Sequence, residues 1–511
     1  MSILTIEFLG FAAMTVAAYF LLPLKIRYLA LLGFSAAFVI MCGWEGGVYL
    51  LCVAALSYGG ALGLQALRRG EEKRRGLRHL RRLLLFLLLV MDLGAMLFVK
   101  FYPDLAKWLN GGYLKKTPLP LWELIVPLGL SYFTFQSAGY LIDVARGKAE
   151  AAKNPLRTVL FLGYFPQLPQ GPISTWKELE GPLTRGNRLD PVKFVSGAQL
   201  MAWGYFKKLV IADRLAVTTE AVLKAGQKMP GWLALGATIL YAIRLYADFS
   251  GGMDVVRGLS RIVGVELPEN FRRPFFATSV ADYWRRWHIT LGAWFRSYLL
   301  YPVTTSRFGV GLGKICGKVL GKKVGRMVPT ALATILVFLL IGLWHNATWN
   351  AVIYGGYFGV IMALSLLLDP FWKWLGKKLH LPKKGWMTPI RIVRTWVLVL
   401  LPQFFAYPPT LEKSLRIMER AFNFSEWKFN TFVSRCVAIM SPLEWAVLGG
   451  AFLILLVVDI LCEIKPDLCD ALARKPIVLR WPILILLILL VLVFGCYGAG
   501  YDASAFLYTQ F

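Results

Sequence analysis

"TALATILVFLLIGLWHNATWN", residues 330–350, begins as apolar helix and ends on polar side chains. From Ala331 to Trp344 the only hydroxyl is Thr334. A run of this kind is what crosses a hydrocarbon core about 30 Å thick, which takes roughly 20 apolar residues. Similar runs recur along all 511 residues, and 57% of the chain is hydrophobic, against about 45–50% in a typical soluble domain. The fold class that follows is an all-α polytopic membrane protein.

Working outward, spans are expected at about 4–22, 26–43, 48–66, 83–101 and 121–142, two within 197–253, two within 328–369, and at about 391–408, 443–461 and 481–498, roughly twelve crossings. The first has almost no basic residues before it and no small-residue cleavage site, so it reads as a retained helix. The whole chain, 1–511, reads as one membrane domain, with a core at about 120–370, an amphipathic linker at 409–440 and a C-terminal helix and tail at about 479–511.

The formal charge is +28, from 57 Lys+Arg against 29 Asp+Glu. In a soluble protein that would suggest nucleic acid; here the charge lies in short loops, where it sets orientation beside anionic lipid. The densest run, "RRGEEKRRGLRHLRR" (68–82), is placed in the cytoplasm. Counting crossings from it puts both termini outside and the basic segments 304–326 and 373–394 inside. Arg307, Lys314, Lys318, Lys322, Lys323 and Arg326 form a candidate docking face for an anionic donor. The 7 cysteines are scattered, with no CxxC and no ligand spacing to histidine, so neither a metal site nor a disulfide framework is expected.

Three stretches break the membrane pattern. "YFPQLPQGPIST" (164–175) cannot be regular helix, because proline lacks an N–H and clashes with the preceding turn. It reads either as a surface loop or as a re-entrant segment shaping a cavity. Asp248 and Asp254 end an apolar run, where an unpaired carboxylate costs roughly 2.5–3.5 kcal/mol. Arg257, Arg261, Arg272 and Arg273 are the partners in reach. "DYWRRWHITLGAWFRSYL" (282–299) alternates aromatic rings with arginine, which suits a helix in the interface. Its His288 reads as a structural hydrogen-bonding residue.

His345 stands between Trp344 and Trp349 at the end of the opening run. An ionisable residue in a span is a functional candidate, and imidazole suits proton transfer at neutral pH. A satisfied histidine at a helix end is the competing reading, and the residues alone leave both open.

Together these motifs resemble the membrane-bound O-acyltransferase family. Within it they are more closely similar to the bacterial branch holding alginate O-acetyltransferases, with the D-alanyl transferases of teichoic acids as relatives. The resemblance is carried by "YFPQLPQGPI" (164–173), "YADFSGGMDVVRGLSRIVGVELPENF" (246–271), "DYWRRWHITLGAWFRSYLLYP" (282–302), "GLWHNATWN" (342–350) and the terminal "FLYTQF" (506–511). At 346–348 this chain has "NAT" where the family often has smaller residues.

The resemblance implies a ring of tilted helices with re-entrant segments around a thin central funnel, in a bacterial cytoplasmic membrane. It implies transfer of an acyl group, acetyl in the first instance, from a cytoplasmic thioester: acetyl-CoA or an acylated phosphopantetheine carrier protein. No cofactor is retained and no metal is required. The acceptor is an exported or cell-wall polysaccharide, served by an extracellular hydrolase-like partner. His345 takes the catalytic role and His288 a supporting one. Tyr508 is a candidate acyl relay, and otherwise a ring anchoring the last helix. Trp287, Trp344, Asn346, Trp349, Asn350 and Asp248 are candidates for shaping or orienting the site. D-alanyl transfer to teichoic acid, and a glycan transporter or flippase, are the alternative functions. A transporter has no use for the pair of motifs "WRRWH" and "WHNATWN".

Overall fold

The computed structural model describes residues 1–71, 76–114, 117–122, 124–225, 229–379, 385–427 and 429–497. Among them all regular secondary structure is helical, with no β-strand. Among the described residues 8 helices are long and apolar enough to cross a membrane: Leu24–Cys42, Trp44–Gly70, Leu77–Gly112, Gly231–Ile262, Gly321–His345, Trp349–Leu367, Pro442–Ile464 and Ile477–Phe494. The backbone divides into two compact units, residues 1–204, 252–268 and 469–484, and residues 205–251, 269–468 and 485–511.

Several expected spans take another form. The first is a helix of 16 residues, Ile6–Leu21, started by the Thr5 hydroxyl, which accepts from the Phe8 N–H. Residues 121–142 are not one span. Pro118, Pro120 and Pro127 keep the chain irregular, and a helix of 17 residues, Leu130–Arg146, begins only after the left-handed Gly129. Residues 391–408 divide between the helix Met387–Leu400 and a tight turn, Leu401–Phe405, again at a proline, Pro402. The aromatic–arginine stretch is not one helix either: it breaks into Val280–Arg286, Ile289–Phe295, a wide turn over Arg296–Leu300, and Tyr301–Thr305.

In the first unit, residues 164–174 are buried, which decides between the two readings of this segment: it is irregular backbone enclosed by protein, the setting in which such backbone is tolerated. Its own amide pins it. Gln167 Nε2 donates to Pro172 O at 2.9 Å and to Ser174 Oγ at 2.8 Å, while Ser35 Oγ accepts from Phe165 N at 3.1 Å. Arg261 bridges Glu266 at 3.1 Å and Asp470 at 3.0 Å.

In the second unit, Asp248 takes a partner that sequence spacing did not suggest. Lys208 Nζ lies 2.6 Å from Asp248 Oδ1 and 2.7 Å from Asp213 Oδ1. Lys208 comes from a separate wide helical turn, Phe206–Ala212. Of the arginines expected as partners, Arg272 pairs with Glu269, and Arg273, together with Arg286, with Glu463. Asp254 pairs more loosely with Arg257 at 3.7 Å, one helical turn on.

The helices Val328–His345 and Trp349–Leu367 form an antiparallel hairpin joined at residues 346–348. Thr348 starts the second helix, its hydroxyl accepting from Ala351 N. The two backbones meet along Gly342, Gly355 and Gly359. A Cβ on Gly355 would lie 3.2 Å from the Phe338 carbonyl carbon and 3.3 Å from Gly342 Cα, and closer still to the Phe338 oxygen. The atoms in the way are backbone and cannot yield. Gly355→Val is therefore expected to push the hairpin apart, at the about 1–3 kcal/mol typical of overpacking. Heating in detergent followed by gel filtration should show the variant aggregating below wild type. A wild-type profile would mean that the seam tolerates a side chain.

Candidate active site

His288 ends the extended step at Trp287 and adopts a left-handed backbone, φ 44° and ψ 53°, as the residue that starts the helix Ile289–Phe295. For a residue with a Cβ this conformation costs of order 1–3 kcal/mol, and such positions cluster at functional sites. Asn270 holds it there. The backbone N–H of Ile289 donates to Asn270 O at 3.0 Å. Asn270 Oδ1 then receives Thr290 N at 3.1 Å and Thr290 Oγ1 at 2.9 Å, and meets His288 Nδ1 at 3.1 Å.

This geometry assigns the histidine tautomer. The backbone N–H of Thr290 can only donate, so the Asn270 atom it touches is the oxygen. That oxygen only accepts, so His288 Nδ1 carries the proton and Nε2 keeps its lone pair. Burial, with the imidazole of His345 nearby, holds His288 well below its ordinary pKa. The ring therefore favours the neutral form, with the Nε2 lone pair unprotonated. The ring packs edge-on against Phe249 at 5.0 Å between centroids.

His345 is the last residue of its helix and is half-buried. It and His288 line one cavity of about 540 Å³, built within the second unit from Thr219–Leu223, Tyr241–Leu245, Trp284–Leu291, both helices of the glycine hairpin and the turn Phe405–Pro409. Trp344 sits behind the pair, with its ring 4.5 Å from that of His345 and 6.5 Å from that of His288. Asn350 is buried and donates Nδ2 to Pro408 O at 2.8 Å, tying the hairpin turn to the turn opposite.

Of the residues singled out from sequence, His288, His345, Trp287, Asn346 and Asn350 line this cavity. Three other candidates, Trp344, Trp349 and Asp248, are not on its wall. Trp349, the first residue of its helix, is 72% exposed. Asp248 is held by Lys208. Tyr508 lies outside the described residues. Sequence reading missed Asn270, whose one signal was its place after the proline in "LPEN", and Arg244 and Tyr407, which nothing local marks. No group of three His, Cys, Asp or Glu side chains suited to a metal ion occurs among the described residues.

The arrangement presents an unprotonated imidazole nitrogen, a second imidazole and side-chain amides to a cavity whose remaining wall is largely aromatic and aliphatic. That suits proton removal from a hydroxyl and stabilisation of a developing oxyanion. Asn270→Ala should release the tautomer and lower turnover about tenfold or more. Asn270→Asp, which still accepts from Nδ1, should retain more of it. Equal activity in all three proteins would separate Asn270 from catalysis.

No family model matches the chain. Individual relatives do. A protein named as a probable alginate O-acetylase of Azotobacter vinelandii is 28% identical over 455 residues, 88% of this chain and 83% of the relative. Another of that name from Pseudomonas aeruginosa is 29% identical over 407 residues, 79% of this chain and 72% of the relative. A teichoic acid D-alanyltransferase of Bacillus subtilis is 28% identical over 290 residues, 54% of this chain and 67% of the relative. These relatives bear out the resemblance drawn from the motifs.

Proposed function

We propose that this chain, a relative of the membrane-bound O-acyltransferases, transfers an acyl group from a thioester donor to a hydroxyl of an exported or cell-wall polysaccharide. The observation that carries the reading is the convergence of His288 and His345, from two separate elements, on one cavity. The relatives named as alginate O-acetylases favour acetyl as the group moved.

In the proposed reaction the imidazole of His345 takes the proton of the attacking hydroxyl. The hydroxyl oxygen bonds to the thioester carbonyl carbon, and the carbonyl oxygen becomes an oxyanion, for which the Asn346 amide is the candidate donor. The intermediate collapses by breaking the C–S bond. The departing sulfur takes the proton back from the imidazolium. His288, neutral and fixed by Asn270, supports the substrate or the second proton movement. The donor, acetyl-CoA or an acylated carrier, meets the basic face around 304–326 in the cytoplasm. Tyr508, on the outer side by the charge count, carries the acyl group briefly before an extracellular hydrolase-like partner delivers it.

The experiment is acyl transfer in membranes carrying single variants. His345→Ala should insert normally and lose at least about a hundredfold, within the range general-base catalysis supplies. Normal polymer acylation by this variant would remove His345 from the mechanism. Tyr508→Phe keeps the ring and deletes only the oxygen. The relay predicts loss of acylation at unchanged expression, and labelled acyl trapped on the C-terminal peptide of wild type. Full activity in Tyr508→Phe would leave the tyrosine as an anchor. Since one relative is named a D-alanyltransferase, the second reading is D-alanyl transfer. Offering acetyl-CoA and a D-alanyl carrier protein side by side separates the two donors.

A further inference from the structure

Asp92 is 1% exposed and sits near the middle of the spanning helix Leu77–Gly112. It belongs to the first unit and has no part in the acyl-transfer reading. A carboxylate at that depth is costly unless something neutralises it. Among the described residues no ion pair reaches it, and its Oδ1 is enclosed with no hydrogen-bond partner. The ionisable group near it is the Tyr49 phenol of the helix Trp44–Gly70, whose hydroxyl is likewise enclosed and without a hydrogen-bond partner. Three helices meet here: Trp44–Gly70, Leu77–Gly112 and Leu130–Arg146. A Cβ on Gly60 would lie 2.8 Å from Leu88 Cδ1 and 3.2 Å from Leu141 Cδ2, side chains one turn from Asp92 and from Ser137.

The other carboxyl oxygen ends a chain of short contacts. Asp92 Oδ2 lies 2.6 Å from Ser137 Oγ, Ser137 Oγ lies 2.7 Å from Ser57 Oγ, and Ser57 Oγ lies 2.7 Å from the backbone oxygen of Val53. Both serines are fully buried. Three contacts need three hydrogens, and the two hydroxyls hold two. The Val53 carbonyl only accepts, so the hydrogen of Ser57 points to it. Ser57 Oγ then accepts the hydrogen of Ser137. The contact between Ser137 and Asp92 is left to be closed by a hydrogen on Asp92 Oδ2. An ionised carboxylate would set lone pairs against each other at one of these contacts, inside a fully buried site. A shared metal cation does not fit either. Even tight octahedral ligands at about 2.1 Å stand roughly 2.9 Å apart, whereas these oxygens sit at O–H···O distance. We infer that Asp92 is a proton-binding site. The folded first unit holds a neutral carboxylic acid whose Oδ2–H donates to Ser137, and Ser137 donates to Ser57, so that one bound proton links three helices. The proton supplies the missing donor and removes the charge together.

The test uses the full-length protein in detergent at neutral pH. Infrared difference spectra of wild type minus Asp92→Asn should contain the carbonyl band of a protonated carboxylic acid, and that band should move to lower frequency in deuterium oxide. Bands of an ionised carboxylate in its place would overturn the assignment. A second measurement does not depend on the folding of Asp92→Asn: wild type grown on isotope-labelled aspartate should show a labelled acid carbonyl band that Ser137→Ala displaces, because the acceptor of its hydrogen bond is gone. No such band, or one that Ser137→Ala leaves in place, would overturn the site. Thermal unfolding followed by gel filtration supplies the cation arm. Wild type should melt at the same temperature in sodium, potassium and choline buffers of equal ionic strength. Asp92→Asn, uncharged and still a donor through Nδ2, should stay close to it. A stabilisation by sodium or potassium that Asp92→Asn abolishes would replace the proton with a metal cation.

Discussion

The hairpin of Val328–His345 and Trp349–Leu367 depends on two backbones touching where Gly342, Gly355 and Gly359 carry no side chains. In lipid there is little hydrophobic gain in bringing two apolar helices together, so close packing of small residues supplies the attraction. That contact fixes the geometry of the cavity. One helix contributes Phe338, Ile341 and His345 to its wall, and the other Asn350, Tyr354 and Phe358. A hairpin opened by one methylene would move both sets of groups at once, and a displacement of that order is enough to impair a reaction that needs near-contact alignment.

Against this packed frame, the polar chemistry is held by local hydrogen bonds. Asn270 gathers three donors on one oxygen and keeps His288 in a left-handed backbone it would not choose alone. The strain and the tautomer share one cause. The same carboxamide oxygen that stabilises the turn also decides which imidazole nitrogen is basic. His345 is placed differently, by the end of a helix. The chain must leave the helical path at Asn346 to enter the turn, so the imidazole comes out where the cavity is rather than among apolar neighbours.

Buried charge follows a related economy. A lysine enclosed with two aspartates keeps opposite charges in contact where water is scarce, and removing one member of such a group is far more costly than never having had it; two arginines share one part-exposed glutamate in the same way. These clusters pin short helices to long ones.

Much was legible in the chain itself. Apolar length marked most spanning helices, the three prolines of 164–175 excluded regular helix, and the motif histidines pointed to acyl transfer. Those signals are local: each depends on a residue and its neighbours within a few turns. Pairings were not legible, because helical period says which face a residue occupies and nothing of which distant segment meets it. Asp248 found Lys208 instead of a neighbouring arginine, Trp349 is off the wall of the cavity it flanks in sequence, and Asn270 gained its importance from a separate element of the chain. The sequence by itself determined the helical class, the membrane habit and the chemistry on offer. Only the tertiary structure decided which of those groups share a cavity, because that depends on where glycines let backbones touch and where irregular turns aim their side chains.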